Sequence, residues 1–187
     1  MIQWPDNLVV WANANHHKER THVFEYLKRE LNNNFKCISL SDKDSQDYSI
    51  TSQDLKQNNY NDVIDQNNNI EMKYRLWRRS EIENYLIHPN VIARTIVRKN
   101  GGDVAQKEQE VRDYLQNNHG IVVNAAFMRS DRTDATRPLF ELSGKEIIKG
   151  ICTQFSIDKF SIAREMNHDE VFEDIITLCN ELIETCQ

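Results

Sequence analysis

A chain of 187 residues, 39% hydrophobic and 28% charged, is long enough to bury a core and favours one domain, or one domain with a helical appendage. Its net charge of -6 gives no global electrostatic footprint for nucleic acid, although a nuclease centre is itself acidic before metal fills it. No apolar run approaches the ~20 residues needed to cross a bilayer and no leader pattern follows Met1, so a cytoplasmic protein without a membrane segment is expected.

Along the chain, the apolar run at 8–11 reads as a buried strand. Val23, Phe24, Leu27 and Leu31 recur at helical spacing and predict an amphipathic helix over 16–31. Residues 35–40 read as the next strand, so strand, helix and strand together suggest a parallel crossover unit. The Asn-, Asp- and Ser-rich stretch 41–69 predicts a loop with a short helix near 50–57. Ile70, Met72, Tyr74 and Leu76 then alternate with polar residues, the period of a half-buried strand. Ser80 and Glu83 have the spacing of a capping box that opens a helix through Tyr85 and Leu86. Pro89 suits the first turn of a further helix carrying Val91, Ile92, Ile96 and Val97.

Beyond Gly101 and Gly102 the pattern is helical throughout, with predicted helices at 104–117, 121–128, 147–155, 158–166 and 169–186. Ser143 and Glu146 form the capping box of the third of these. Phe172, Ile175, Ile176, Leu178 and Leu182 make an apolar stripe suited to packing on the chain's own sheet, or to pairing with a second copy in a homodimer. Cys37, Cys152, Cys179 and Cys186 show neither C-x-x-C nor zinc-like spacing and read as reduced thiols.

Asp42 and Asp44 fall just past the carboxyl end of a predicted strand, where open α/β sheets place their ligands. Two carboxylates there suit one hard divalent cation, and Asp in that place also makes turns and caps. Glu81 and Glu83 add acidic groups later in the chain, with helix capping and the helix dipole as their structural explanation. Lys145 sits at a predicted helix start, where a cation opposes the dipole, and such local conflicts concentrate at functional sites. Gly144-Lys145-Glu146 lacks the upstream Gly and following Ser or Thr of a Walker motif. Arg75, Arg78 and Arg79, then Arg94, Arg98 and Lys99, form two basic clusters able to bind phosphates beside the acidic site or to lie on solvated faces. His16-His17 has no partner at metal spacing.

Three pieces, taken together, resemble the Toprim portion of the overcoming-lysogenisation-defect (OLD) family, over most of the chain from about residue 8 to residue 182. They are Asp42-x-Asp44, the run Arg79-Ser80-Glu81-Ile82-Glu83-Asn84-Tyr85-Leu86, and Gly144-Lys145-Glu146-Ile147-Ile148 with Ile162-Ala163 and Met166. Members of that family join an ABC-type ATPase to a Toprim nuclease, often in anti-phage defence. The resemblance implies a small, mainly parallel, partial Toprim-like α/β domain over 1–100 and a helical carboxyl-terminal subdomain over 101–187 packed on it. It further implies metal ligands at Asp42, Asp44 and Glu83 for two Mg²⁺ or Mn²⁺ ions, and catalytic roles for Lys145 and Glu81. Arg78 and Arg79 would contact DNA. The family's first strand ends in an essential Glu, and none of the seven residues before Leu8 is Glu. The expectation is therefore a metal-dependent DNA endonuclease module, or the remnant of one, in a truncated or split protein that works with an ATPase partner. Two rivals stand beside it: a non-catalytic module that docks on the ATPase, and a small phosphohydrolase with Asp42 as nucleophile.

Overall fold

The alternating run at 70–76 becomes the central strand of a small sheet in the computed structural model, which describes residues 5–10, 17–31, 34–42, 63–64, 66–67, 69–77, 79–123 and 141–186. Strand β1 (Cys37–Ser41) pairs parallel with β3 (Ile70–Leu76), with Cys37 opposite Met72 and Ser41 opposite Leu76. The two-residue strand β2 (Val63–Ile64) pairs antiparallel on the other side, giving the order β1-β3-β2. The fold is α/β, with a sheet that is mixed and holds one parallel pair.

The described contacts divide the chain into two units. The first takes Met1–Ser41, Ser52–Leu76 and Ile176–Gln187. In it, helix α1 (His17–Glu30) buries Phe24 against Phe35, ring centroids 6.0 Å apart. Arg20 of α1 donates to Ser39 Oγ at 3.1 Å and Leu40 O at 3.3 Å, and Lys28 pairs with Glu71. The expected strand at 8–11 does not form in its described part: Leu8 N donates to Pro5 O in a turn, and Val9 and Val10 are 80% and 86% exposed. A strand needs a neighbour to take its backbone hydrogen bonds, and β1 finds its parallel partner in β3 instead.

Strand β3 also departs from a half-buried pattern. Met72 is buried on one face and Arg75 is buried on the other. Arg75 meets Glu181 in a two-pronged pair, Nε to Oε2 at 3.1 Å and Nη2 to Oε1 at 2.8 Å, both side chains 2% exposed. Glu181 lies on the last helix, α6 (Glu173–Cys186), so this part of the helix is fixed to the strand by charge.

The second unit takes Asp42–Thr51 and Trp77–Ile175. Its core is aliphatic and helical. Helix α2 (Pro89–Asn100) has Pro at the start and buries Val91, Ile92 and Ile96. Helix α3 (Val104–His119) is capped by Asp103, which accepts from Gln106 N, and stopped by Gly120 at φ 66, a left-handed position that glycine adopts without strain. Helix α4 (Gly144–Phe155) is capped by Ser143, and α5 (Lys159–Glu165) by Asp158. Ile147, Ile148 and Ile151 of α4 pack with Val111, Leu115 and Ile162 in one cluster.

The expected helix from Ser80 is instead a short 3-10 turn, Ile82–Leu86, entered through Glu81. The box partner is Asn84, whose Oδ1 accepts from Glu81 N at 2.8 Å. The last predicted helix, 169–186, divides into a 3-10 turn at His168–Glu170 and α6. Residues 121–123 are not helical, and the rest of the helix predicted at 121–128 lies outside the described residues, as does the helix predicted at 50–57. All four cysteines are free and partly buried. Among the described residues, no helix is long and apolar enough to cross a membrane.

Candidate active site

Asn84 organises the site. It is fully buried, and its Nδ2 donates to Leu142 O at 3.1 Å while its Oδ1 holds Glu81 N. A Cβ on Gly144 would lie 2.5 Å from Asn84 N and 2.6 Å from Asn84 Oδ1, so only glycine lets the start of α4 approach the 3-10 turn this closely. Lys145, the next residue, is thereby set beside Glu81. Glu81 Oε2 accepts from Ser143 Oγ at 2.9 Å and from Lys145 N at 2.8 Å, taking up a backbone N–H at the open end of α4.

The Lys145 ammonium bridges two carboxylates. It lies 3.1 Å from Glu81 Oε1 and 3.0 Å from Asp42 Oδ2, with the lysine side chain 50% exposed. Asp42 Oδ1 in turn accepts from Ile82 N at 3.3 Å, across 40 residues of sequence. Asp42, Glu81 and Lys145, nominated from separate stretches of sequence, therefore meet in one hydrogen-bonded cluster. Two carboxylates answer the conflict at α4, where a lone cation would oppose the helix dipole.

The hydrogen bond from Lys145 to Asp42, with that to Glu81, raises the lysine above its ordinary range, and partial burial opposes this without reversing it. For Glu81, burial alone would raise the carboxyl. The bonds from Lys145 and Ser143 outweigh it and hold the group below the usual carboxylate range. Glu81 and Lys145 are therefore both charged at neutral pH.

Glu83 points elsewhere. It is buried, Lys159 Nζ reaches its Oε1 at 3.0 Å, and its Oε2 has no hydrogen-bond partner. Arg79 is fully buried, with its guanidinium 3.9 Å from the Phe172 ring centroid and 4.9 Å from that of Tyr85, and it donates to Asn84 O at 2.9 Å. From there it reaches no external phosphate. It braces the turn from inside, where Tyr85 also donates to Asp174 at 2.8 Å. Arg94 pairs with Glu170 and Arg98 with Glu165, so the second basic cluster is largely neutralised by nearby acids. Asp44 and Arg78 lie outside the described residues.

Mg²⁺ and Mn²⁺ take hard oxygen donors, and Mg²⁺ is commonly held by one or two carboxylates, with water and substrate phosphate completing the shell. Asp42 and Glu81 fit that donor set, because one oxygen of each already lies against a single cation, the Lys145 ammonium. A group of three or more ligating side chains does not occur among the described residues. Asn84 and Gly144 are positioning residues to which the sequence reading gave no place in the site, and Ser143, read there only as a helix cap, also holds Glu81. Their signal was the close approach of two backbones, which no residue pattern displays.

Comparison with protein-family models, with curated proteins and with solved structures finds no match to this chain.

Proposed function

We propose that this chain is a Toprim-type, divalent-metal-dependent DNA endonuclease module of the OLD-like kind, or the remnant of one, acting with an ABC-type ATPase partner. The observation that carries the reading is the meeting of Asp42, Glu81 and Lys145, with Asp42 and Lys145 103 positions apart in sequence. Asp42 and Glu81 present hard oxygen donors beside the 3-10 turn, and Asp44 belongs to the proposed ligand set, whereas Glu83, whose Oε1 is taken by Lys159, stands apart from it. A bound Mg²⁺ or Mn²⁺ would lower the pKa of water and stabilise charge on the phosphodiester oxygens. Lys145 supplies a positive charge for a phosphate oxygen. Ser143 and the backbone of Lys145 keep the Glu81 carboxylate in one orientation, so little reorganisation is needed when substrate arrives.

The test is incubation of the chain with supercoiled plasmid and Mn²⁺ or Mg²⁺, beside an Asp42→Asn control. Nicking by the wild-type chain that disappears in the control is the expected result. A well-folded chain that leaves plasmid intact refutes an autonomous nuclease. One observation favours the rival reading of a non-catalytic docking module: each carboxylate of the cluster is already satisfied by Lys145, as in a purely structural ion pair. Metal binding without turnover would support that rival.

A further inference from the structure

We propose that Lys145 is a resident counter-ion of the site, displaced from Asp42 and Glu81 when a divalent cation binds and thereby freed to meet a substrate phosphate. The inference rests on the metal-dependent reading above and concerns how that site is regulated. The ammonium stands 3.0 Å from Asp42 Oδ2 and 3.1 Å from Glu81 Oε1, where a dication would also have to approach these oxygens. Two cations cannot share that position at such distances without strong repulsion.

Neither carboxylate depends on the ammonium for its placement. Glu81 is also held by Ser143 Oγ at 2.9 Å and Lys145 N at 2.8 Å, and Asp42 by Ile82 N at 3.3 Å. The main-chain N–H of Lys145 is fixed in α4, whereas its ammonium ends a flexible stem that is half exposed. The acids are therefore pre-organised and the cation between them is removable. In the absence of metal, the lysine offsets part of the negative charge of the acidic pair and shields it. Once displaced, the same ammonium has lost its carboxylates and seeks an anion, and phosphate is the anion that a phosphodiester provides. Metal and phosphate binding then favour one another, each relieving the charge that the other leaves uncompensated.

Mn²⁺ binding, followed by the loss of the free-ion electron paramagnetic resonance signal, separates the possibilities without any activity assay. Lys145→Met removes the charge and keeps much of the stem, and Lys145→Gln carries the same expectation should the first variant fold poorly. Either is expected to bind Mn²⁺ at least about tenfold more tightly than the wild-type chain, equivalent to about 1.4 kcal/mol. Lys145→Arg, which keeps the charge, should stay near wild type, and Asp42→Asn should bind weakly. If wild type binds Mn²⁺ through Asp42 but Lys145→Met and Lys145→Gln bind no more tightly, the counter-ion proposal fails and the metal reading survives. If none of these chains binds Mn²⁺, both fall together.

Discussion

Replacing Glu81 by Gln tests whether the cluster is a physical unit. The carboxylate receives three donors: Ser143 Oγ at 2.9 Å, Lys145 N at 2.8 Å and Lys145 Nζ at 3.1 Å. Its side chain is only 11% exposed, so water cannot fully replace a lost partner. An amide of the same length has one acceptor oxygen. Turned to keep Ser143 and the Lys145 N–H, it aims its NH₂ group at the ammonium. A hydrogen bond to a charged group contributes about 1.5–3 kcal/mol, and the half-exposed lysine places this one at the lower end, so a loss of about 2 kcal/mol is expected. The folded-state carboxyl is held below its usual range, so its contribution is fully present above the unfolded value of about 4.3 and is lost as pH falls through the lower folded value. Urea unfolding of both chains at neutral and acidic pH measures this. Wild type should be the more stable at neutral pH, and the gap should shrink in acid. A double-mutant cycle with Lys145→Met should show coupling of about 0.5 kcal/mol or more. Equal stability of the two chains at neutral pH would refute the geometry from which the functional proposal starts.

The buried pair of Arg75 and Glu181 gives a second prediction: Glu181→Ala strands a guanidinium without its carboxylate and should cost about 3–5 kcal/mol in urea unfolding, most of it recovered by adding Arg75→Met. A loss well under about 1 kcal/mol would contradict the burial of that pair. His88 provides a pH test. Its Nδ1 is buried without a partner, and burial lowers its pKa, against the pull of Glu170 and Glu108 and with the push of Arg94. The unfolded chain therefore takes up this proton first, and stability should decline as pH drops below about 6.5 until the folded value is reached. The slope should flatten in His88→Leu, and an unchanged slope would show that His88 does not titrate in this way.

Much of the local structure follows from residues close in sequence. The alternation of Ile70, Met72, Tyr74 and Leu76 specifies β3 with its bounds, because a period of two is a backbone property. Ser143 and Asp158 start α4 and α5 by accepting the N–H three residues on, and Gly120 stops α3 by taking a left-handed conformation, all signals contained within one turn. Ser80 misled for the same reason: its spacing to Glu83 is that of a capping box, yet Asn84 fills that role for Glu81.

The fate of charged and marginal residues was decided elsewhere. Nothing near Arg79 in the sequence foretells that Phe172 will cover it, nor that Arg75 on a polar strand face will meet Glu181. The apolar run at residues 8–10 had the composition of a strand but pairs with no strand among the described residues. Asp42, Glu81 and Lys145 were legible singly, as acids near a strand end and a turn and as a cation misplaced on a helix start. Their contact depends on Gly144 yielding room to Asn84, a steric relation between two backbones. Propensity, period and capping act over a few residues and can be read along the chain, whereas ion pairing and burial depend on which distant surface arrives, and only the tertiary structure fixes that.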